Sequence, residues 1–150
     1  MKVAFFRAGT SFFSRLIQFW TRGSASHVEL VFSDGMAFSS HEADGGTRFK
    51  QIDFSAPGWE LVDVPVSADD ESRILAWCHN EEGCAYDWRG ITFSFLPVPI
   101  GWQHSERWFC SEVCTAALQL AGYLSGYTPA SLSPNGMYKA LKRDLAVVDN

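Results

Sequence analysis

A chain of 150 residues, 47% of them hydrophobic, is long enough to bury a core of its own without disulfides or metals. Its net charge of −5 argues against a nucleic-acid partner, because such a surface needs a basic stripe to contact phosphates. No apolar stretch is long enough to cross a bilayer. We therefore expect a single domain over residues 1–150 that neither spans a membrane nor binds nucleic acid.

The N-terminal segment, residues 1–7, predicts a strand. A signal peptide is not expected, because the apolar run is short and no small-residue cleavage site follows it. This favours a cytoplasmic protein, in a bacterial cell or a phage-infected host, in which the four cysteines remain thiols. Capping residues near Ser11, followed by apolar residues at helical spacing, predict a short helix over Ser11–Trp20.

From His27 the apolar spacing changes to two, which predicts a strand. One face carries apolar side chains, and the more polar face carries His27 and Glu29. The pair Asp34-Gly35 is a strong hairpin signal, and Gly45-Gly46 marks a second turn. These turns separate three further predicted strands, over Met36–His41, Thr47–Ile52 and Trp59–Val64.

Helices are predicted in the second half of the chain. Ser67 and the acidic residues after it predict a helix that ends near Gly83. Three other segments complete the series: a helix over about Trp108–Ala121, a helix from Ser133-Pro134 through Lys142, and a short strand over Leu145–Val148. Residues 86–95 are read as a helix or as an irregular aromatic segment. Strands followed by helices indicate an α+β fold, with an antiparallel sheet packed against helices.

Two residues stand out as candidates for chemistry. Cys110 begins a predicted amphipathic helix, where unpaired N–H groups favour a thiolate and could hold an oxyanion. His27 begins a predicted strand and could accept the thiol proton. Each also has an ordinary interpretation, because a free cysteine is usually a small buried hydrophobe and a histidine on a polar strand face is usually solvated.

A cysteine–histidine pair needs a third group to orient the imidazole. The returning hairpin strand favours His41, and Glu42, Glu29 and Ser39 are further candidates. The predicted oxyanion donors are the backbone N–H groups of Cys110 and Ser111.

A zinc site would use the same kinds of side chain. Its candidate ligands are Cys78, His79, Cys84, Cys110 and Cys114. However, the sequence has no Cys-x-x-Cys pair, and core packing explains Cys78 and Cys114. We therefore expect neither a metal nor another cofactor. His104, in the loop before Cys110, is a further candidate to line a cleft.

Four segments together resemble the circularly permuted branch of the NlpC/P60 papain-like superfamily, which includes the lecithin retinol acyltransferase-like proteins. They are Ser26-His27-Val28-Glu29-Leu30, Asp34-Gly35, Tyr86-Asp87-Trp88 and Phe109-Cys110-Ser111-Glu112. The resemblance covers residues 5–121 and implies a nucleophile at Cys110 and a base at His27. One departure concerns the second histidine of the acyltransferase members. A count from His27 reaches Ser39 at that position, with His41 two residues further on.

The resemblance implies a cysteine hydrolase, of the peptidase or amidase type, that forms an acyl-thioester. A peptide amide is the favoured substrate, with a cell-wall peptide as one candidate, and a lipid ester or amide is second. The rival interpretations are a non-catalytic binding or phage structural protein on the same fold, a lipid acyltransferase, and a zinc-stabilised module. No oligomeric state is implied.

Overall fold

A computed structural model describes residues 1–7, 24–87 and 107–148 of the chain. Within these ranges the protein is an α+β fold, with one seven-stranded sheet and three α-helices. The strands are β1 (Lys2–Phe6), β2 (His27–Val31), β3 (Met36–His41), β4 (Gly46–Gln51), β5 (Trp59–Asp63), β6 (Ala85–Tyr86) and β7 (Arg107–Trp108). The helices are α1 (Ala68–Asn80), α2 (Cys110–Gln119) and α3 (Pro134–Val148). Short 3-10 turns lie at Glu42–Asp44 and Pro129–Ser131.

The strands lie in the order β5-β1-β2-β3-β4-β6-β7. Neighbouring strands are antiparallel except for β6 and β7, which run parallel. The predicted antiparallel sheet is thus confirmed for β1 to β5. The two-residue strands β6 and β7 were not predicted, because a strand of two residues has no hydrophobic period to detect.

The predicted hairpin at Asp34-Gly35 is confirmed and joins β2 to β3. Gly35 has a φ of 87°, a left-handed conformation that costs a glycine little. Phe32 donates its N–H to the carbonyl of Met36 at 2.9 Å, and the Asp34 carboxylate accepts the N–H of Met36 at the same distance. This turn fixes the register that places Leu30 opposite Phe38.

The turn between β3 and β4 allows a close backbone approach. A Cβ on Gly46 would lie 1.9 Å from the carbonyl oxygen of Cys84, so only glycine fits there. Gly46 pairs with Ala85, which attaches β6 to the edge of β4. The glycine therefore lets the sheet extend to β6 and β7.

The core lies between the sheet and the helices. Leu30 and Phe38 from the sheet, Ile74 from α1, and Leu118 from α2 are all fully buried in one apolar cluster. The predicted start of α1 is confirmed, because Ser67 accepts the N–H of Asp70 at 3.0 Å. None of the helices in the described ranges has an apolar stretch of the length needed to cross a membrane.

Three sequence predictions are corrected by the structure. The helix expected from Trp108 begins at Cys110, because Trp108 belongs to β7. Residues 145–148 continue α3 and do not form a strand, because Leu145 follows Leu141 by one helical turn and packs on the core. Tyr86 lies in β6, which excludes a helix at that residue. The helix predicted over Ser11–Trp20, residues 88–95 and His104 lie outside the described residues.

Candidate active site

Cys110 is the first residue of α2 and directly follows β7 and the N-cap residue Phe109. Its side chain is buried among core residues. The first main-chain bond of the helix joins the N–H of Val113 to the carbonyl of Phe109 at 3.0 Å. The N–H groups of Cys110 and Ser111 therefore have no acceptor within the helix and lie beside the thiol.

His27 is the first residue of β2 and lies opposite Phe6 of β1. Its imidazole lies near enough to the thiol of Cys110 on α2 for that group to act on the His27 pKa. A hydrogen bond of the ring joins Nε2 to Oε1 of Glu29 at 2.7 Å. Because Nε2 is engaged by the carboxylate, Nδ1 is the ring nitrogen left for the thiol. The structure thus brings together the two residues that the sequence singled out, although 83 positions separate them.

Opposing effects act on the pKa of His27. Burial lowers it, because a charged imidazolium loses hydration. The negative charge of Cys110 and the hydrogen bonds to Cys110 and Glu29 outweigh this effect and raise the pKa to about 10. The site is therefore built to stabilise the protonated form of the ring.

Glu29, one of the candidate orienting residues, is buried, which excludes the alternative interpretation of a solvent-facing side chain. The cost of burying a carboxylate is offset by partners on two strands. Oε1 accepts from His27 and from Arg48 Nη2, the latter at 2.6 Å, and Oε2 accepts from Arg48 Nη1 at 2.7 Å. Burial opposes these bonds, but their combined effect lowers the pKa of Glu29 and keeps it ionised.

His41, the third residue that the sequence favours, contacts His27 without a hydrogen bond between them. Its ring lies edge-on to the His27 ring, with the centroids 4.9 Å apart, and its Nδ1 accepts the N–H of Ala43 at 3.1 Å. Burial, together with the positive charges of His27 and Arg48, lowers the pKa of His41. His41 is thus a neutral neighbour of the imidazolium, and Glu29 is the side chain that bonds to it.

Ser39 and Glu42, which the sequence also offers as orienting residues, lie nearby but make different contacts. Ser39 donates its hydroxyl to the carbonyl of Val28 at 2.7 Å, and Glu42 lies half-buried in the 3-10 turn after β3. Within the described part of the chain, neither forms a hydrogen bond with His27.

Three further residues surround the pair, and of these the sequence had marked only Tyr86, within the segment Tyr86-Asp87-Trp88. Arg48 holds Glu29, Trp59 lies with its ring centroid 6.4 Å from that of His27, and Tyr86 is near enough for the charge of Cys110 to help burial raise its pKa. The hairpin register could have indicated Arg48, because Ser39 pairs with it across β3 and β4. No local pattern marks Trp59, since it reaches the site through its pairing with Phe6 at the end of the sheet.

The candidate zinc ligands do not converge in the described residues. There, no cluster of three or more histidine, cysteine or acidic side chains could hold a metal ion. Cys78 is buried in α1, and the sulfur of Cys114 packs 3.8 Å from the carbonyl oxygen of Val28. These contacts place both residues in the core.

Comparison of the sequence with models of known families and with curated proteins finds no match to either. The arguments for function therefore come from the site itself.

Proposed function

We propose that the protein is a cysteine hydrolase in which Cys110 is the nucleophile, His27 the acid–base group, and Glu29 the residue that orients the imidazole. The observation that carries the proposal is the continuous chain of contacts from the thiol through the imidazole to a buried carboxylate. This sequence of nucleophile, base and orienting group is the arrangement that activates cysteine for acyl transfer.

The chemistry follows from the positions of these groups. The thiolate of Cys110 attacks the substrate carbonyl carbon and forms a C–S bond, which gives a tetrahedral oxyanion. The imidazolium of His27 then donates its proton to the leaving amine or alcohol as the C–N or C–O bond breaks. Water loses a proton to His27 as it attacks the resulting thioester, the C–S bond breaks, and the acid is released with the thiolate and imidazolium restored.

The start of α2 supplies the oxyanion donors in this proposal. The N–H groups of Cys110 and Ser111 have no acceptor in the helix, and the positive end of the helix dipole favours negative charge there. A developing oxyanion beside Cys110 would therefore be stabilised without reorganisation of the protein.

The order of the elements supports a permuted papain-like topology, because the strand bearing His27 precedes the helix bearing Cys110. We extend the proposal to membership of the permuted NlpC/P60 branch on this order and on the motifs named above. A peptide amide, such as one in a cell-wall peptide, is the proposed substrate, and a lipid acyl group is second. A reducing cytoplasm is the proposed compartment, because it would keep the nucleophile a thiol.

The experiment that tests the proposal measures alkylation of each cysteine by iodoacetamide between pH 5 and 9, with peptide mass spectrometry. We expect Cys110 to react at least about tenfold faster than the buried Cys114 at pH 6, because a neighbouring imidazolium stabilises its thiolate. The variant His27→Gln should remove this advantage, and Cys110→Ser should abolish hydrolysis of a panel of peptide and ester substrates.

One control variant and two possible outcomes separate the competing functions. The variant Cys84→Ser should leave the rate at Cys110 unchanged, because Cys84 lies in the turn before β6. If Cys110 reacts no faster than Cys114 and His27→Gln changes nothing, the protein is a non-catalytic member of the fold. Zinc found in stoichiometric amounts in the purified protein would favour the zinc-stabilised module.

A further inference from the structure

We propose that Arg48 is a positioning residue for His27, acting through Glu29: its guanidinium fixes the carboxylate that holds the imidazole. This inference rests on the proposed function in treating His27 as the acid–base group. It assigns a role to a residue on β4, two strands away from His27.

The guanidinium of Arg48 and the carboxylate of Glu29 form a two-pronged contact, called the fork below, with a specific geometry. Arg48 donates from Nη1 to Oε2 of Glu29 at 2.7 Å and from Nη2 to Oε1 at 2.6 Å. Two parallel bonds to the two carboxylate oxygens fix the plane of the carboxylate as well as its position. Oε1 is the atom that also bonds to His27 Nε2, at 2.7 Å. The rotation of the Glu29 carboxylate, and hence the direction of its bond to His27, is therefore set by Arg48.

Arg48 is itself held at its other donors. Its Nε donates to Oδ2 of Asp44 at 2.8 Å, and Nη1 also lies 3.4 Å from the carbonyl oxygen of Ser39. Asp44 in turn binds Nζ of Lys50 at 3.0 Å. The guanidinium is thus anchored between a surface acid and a buried one, and its side chain is only 14% exposed.

The arrangement requires arginine in particular. A buried carboxylate is costly unless a permanent charge and hydrogen bonds compensate it. Arginine stays protonated at any accessible pH and presents a planar fork, whereas lysine offers a point charge without a fixed plane. Either lysine or arginine at position 48 would therefore keep Glu29 ionised, but only the planar guanidinium of arginine would also orient the carboxylate.

Several charged or titratable groups face this pair. Glu29 interacts with His27 on its own strand and with Arg48 on β4, and its negative charge also acts on His41 of β3 and on Cys114 of α2. His27 is coupled to Cys110 on α2. The described contacts of Arg48 include no hydrogen bond to His27, so its influence on that ring passes through Glu29.

The test compares Arg48→Met, Arg48→Lys and the control Lys50→Met. Lys50 also binds Asp44 but does not contact Glu29. The readouts are the titration of His27 by NMR in protein labelled at histidine, and the pH profile of Cys110 alkylation by iodoacetamide. We expect Arg48→Met to lower the His27 pKa by at least one pH unit and to slow alkylation at pH 6 at least tenfold. Arg48→Lys should give a smaller but measurable loss of at least threefold, and Lys50→Met should match the wild type within twofold.

Two results would contradict the proposed role of Arg48. If Arg48 contributed only a distant positive charge, its removal would raise the His27 pKa, so an unchanged or raised value overturns the proposal. If Arg48→Met does not fold, Arg48→Lys decides the matter, because a wild-type profile in that variant rules out a role for the fork. The His27 titration needs no turnover. A protein without hydrolase activity would thus contradict the proposed function, while the Arg48 inference would stand or fall on its own readout.

Discussion

Glu112 lies in the first turn of α2, two residues after Cys110, and its side chain is half-buried. Burial raises its pKa to about 7, the hydrogen bond from the N–H of Phe109 opposes this, and the negative charge of Asp87 adds to the rise. The folded protein therefore binds a proton at Glu112 more tightly than the unfolded chain does. Its contribution to stability is fully present below about pH 4.5 and is lost as the pH rises towards 7.

We predict that Glu112→Gln is more stable than the wild type at pH 8 by about 1–2 kcal/mol and equal to it near pH 4. The amide keeps an acceptor for the Phe109 N–H but cannot ionise. Urea unfolding at pH 4, 6 and 8 measures the difference. Glu82→Gln, at an exposed position after α1, should change stability by less than about 0.5 kcal/mol at each pH. A Glu112→Gln variant that is less stable at pH 8 would contradict the prediction.

The sequence was most informative about residues that a local pattern marks, either by beginning an element or by sharing a strand face. Cys110 and His27 could be predicted because each begins an element and has a typical neighbourhood, and Glu29 because it shares a strand face with His27. Arg48 was not marked, although the register of the predicted hairpin between β3 and β4 would have placed it opposite Ser39. The preference for His41 assumed that the neighbouring strand supplies the orienting group. Glu29, two residues after His27 on the same strand, bonds to His27 Nε2 instead.

Among the elements, the short pair β6 and β7 has the largest effect on the site. Strand β7 is followed, after one residue, by Cys110, and it pairs with β6, which in turn pairs with Gly46. Ser40 also donates its hydroxyl to the carbonyl of Trp108 at 2.6 Å. The position of the thiol is thus coupled to the edge of β4. None of this was visible in the sequence, because pairing over one or two residues leaves no periodic signal.

We predict that Gly46→Ala destabilises the protein by about 2–4 kcal/mol and slows Cys110 alkylation about tenfold, because the new methyl group displaces β6 and the segment that leads to the thiol. The matched control is Gly45→Ala. Gly45 has a φ of 82°, and nothing lies within 4 Å of an added Cβ. It should cost about 1 kcal/mol through backbone strain alone and leave alkylation unchanged. Thermal unfolding and alkylation rates measure both effects, and equal alkylation losses in the two variants would contradict the coupling.

At the scale of the whole molecule, the α+β class and the positions of the first five strands along the chain could be predicted, because alternation and strong turn signals specify them locally. The predicted end of α3 was wrong, because the short apolar run over residues 145–148 fits a strand as well as a helix when its packing is unknown.

The pH dependence of stability is also a property of the whole chain. Burial opposes both pKa shifts at the site, but Cys110 and Glu29 hold the imidazole in its charged form, and His27 and Arg48 hold the carboxylate in its charged form.

The pKa of Glu29 is lowered, so its contribution is present above about pH 4.5 and lost as the pH falls further. The pKa of His27 is raised to about 10, so its contribution is present below about pH 6.5 and lost as the pH rises towards 10. We predict that His27→Gln is less stable than the wild type by about 3 kcal/mol at pH 6 and that the difference shrinks by pH 10.

Urea unfolding from pH 5 to 10 measures this convergence. His79→Gln, at a side chain that is 58% exposed, is the control and should run parallel to the wild type throughout. A constant difference between His27→Gln and the wild type over that range would show that packing alone, and not the charge of the ring, accounts for the effect.

Strand β2 carries both His27 and Glu29, two residues apart on one side of the same strand. The pleat of a single strand sets the spacing of their backbones, and Arg48 fixes the carboxylate that bonds to the ring. The base and its orienting group are therefore held by the sheet, whereas the thiol is held by the start of α2. The contact between the proposed nucleophile and its base thus depends on how α2 packs against the sheet.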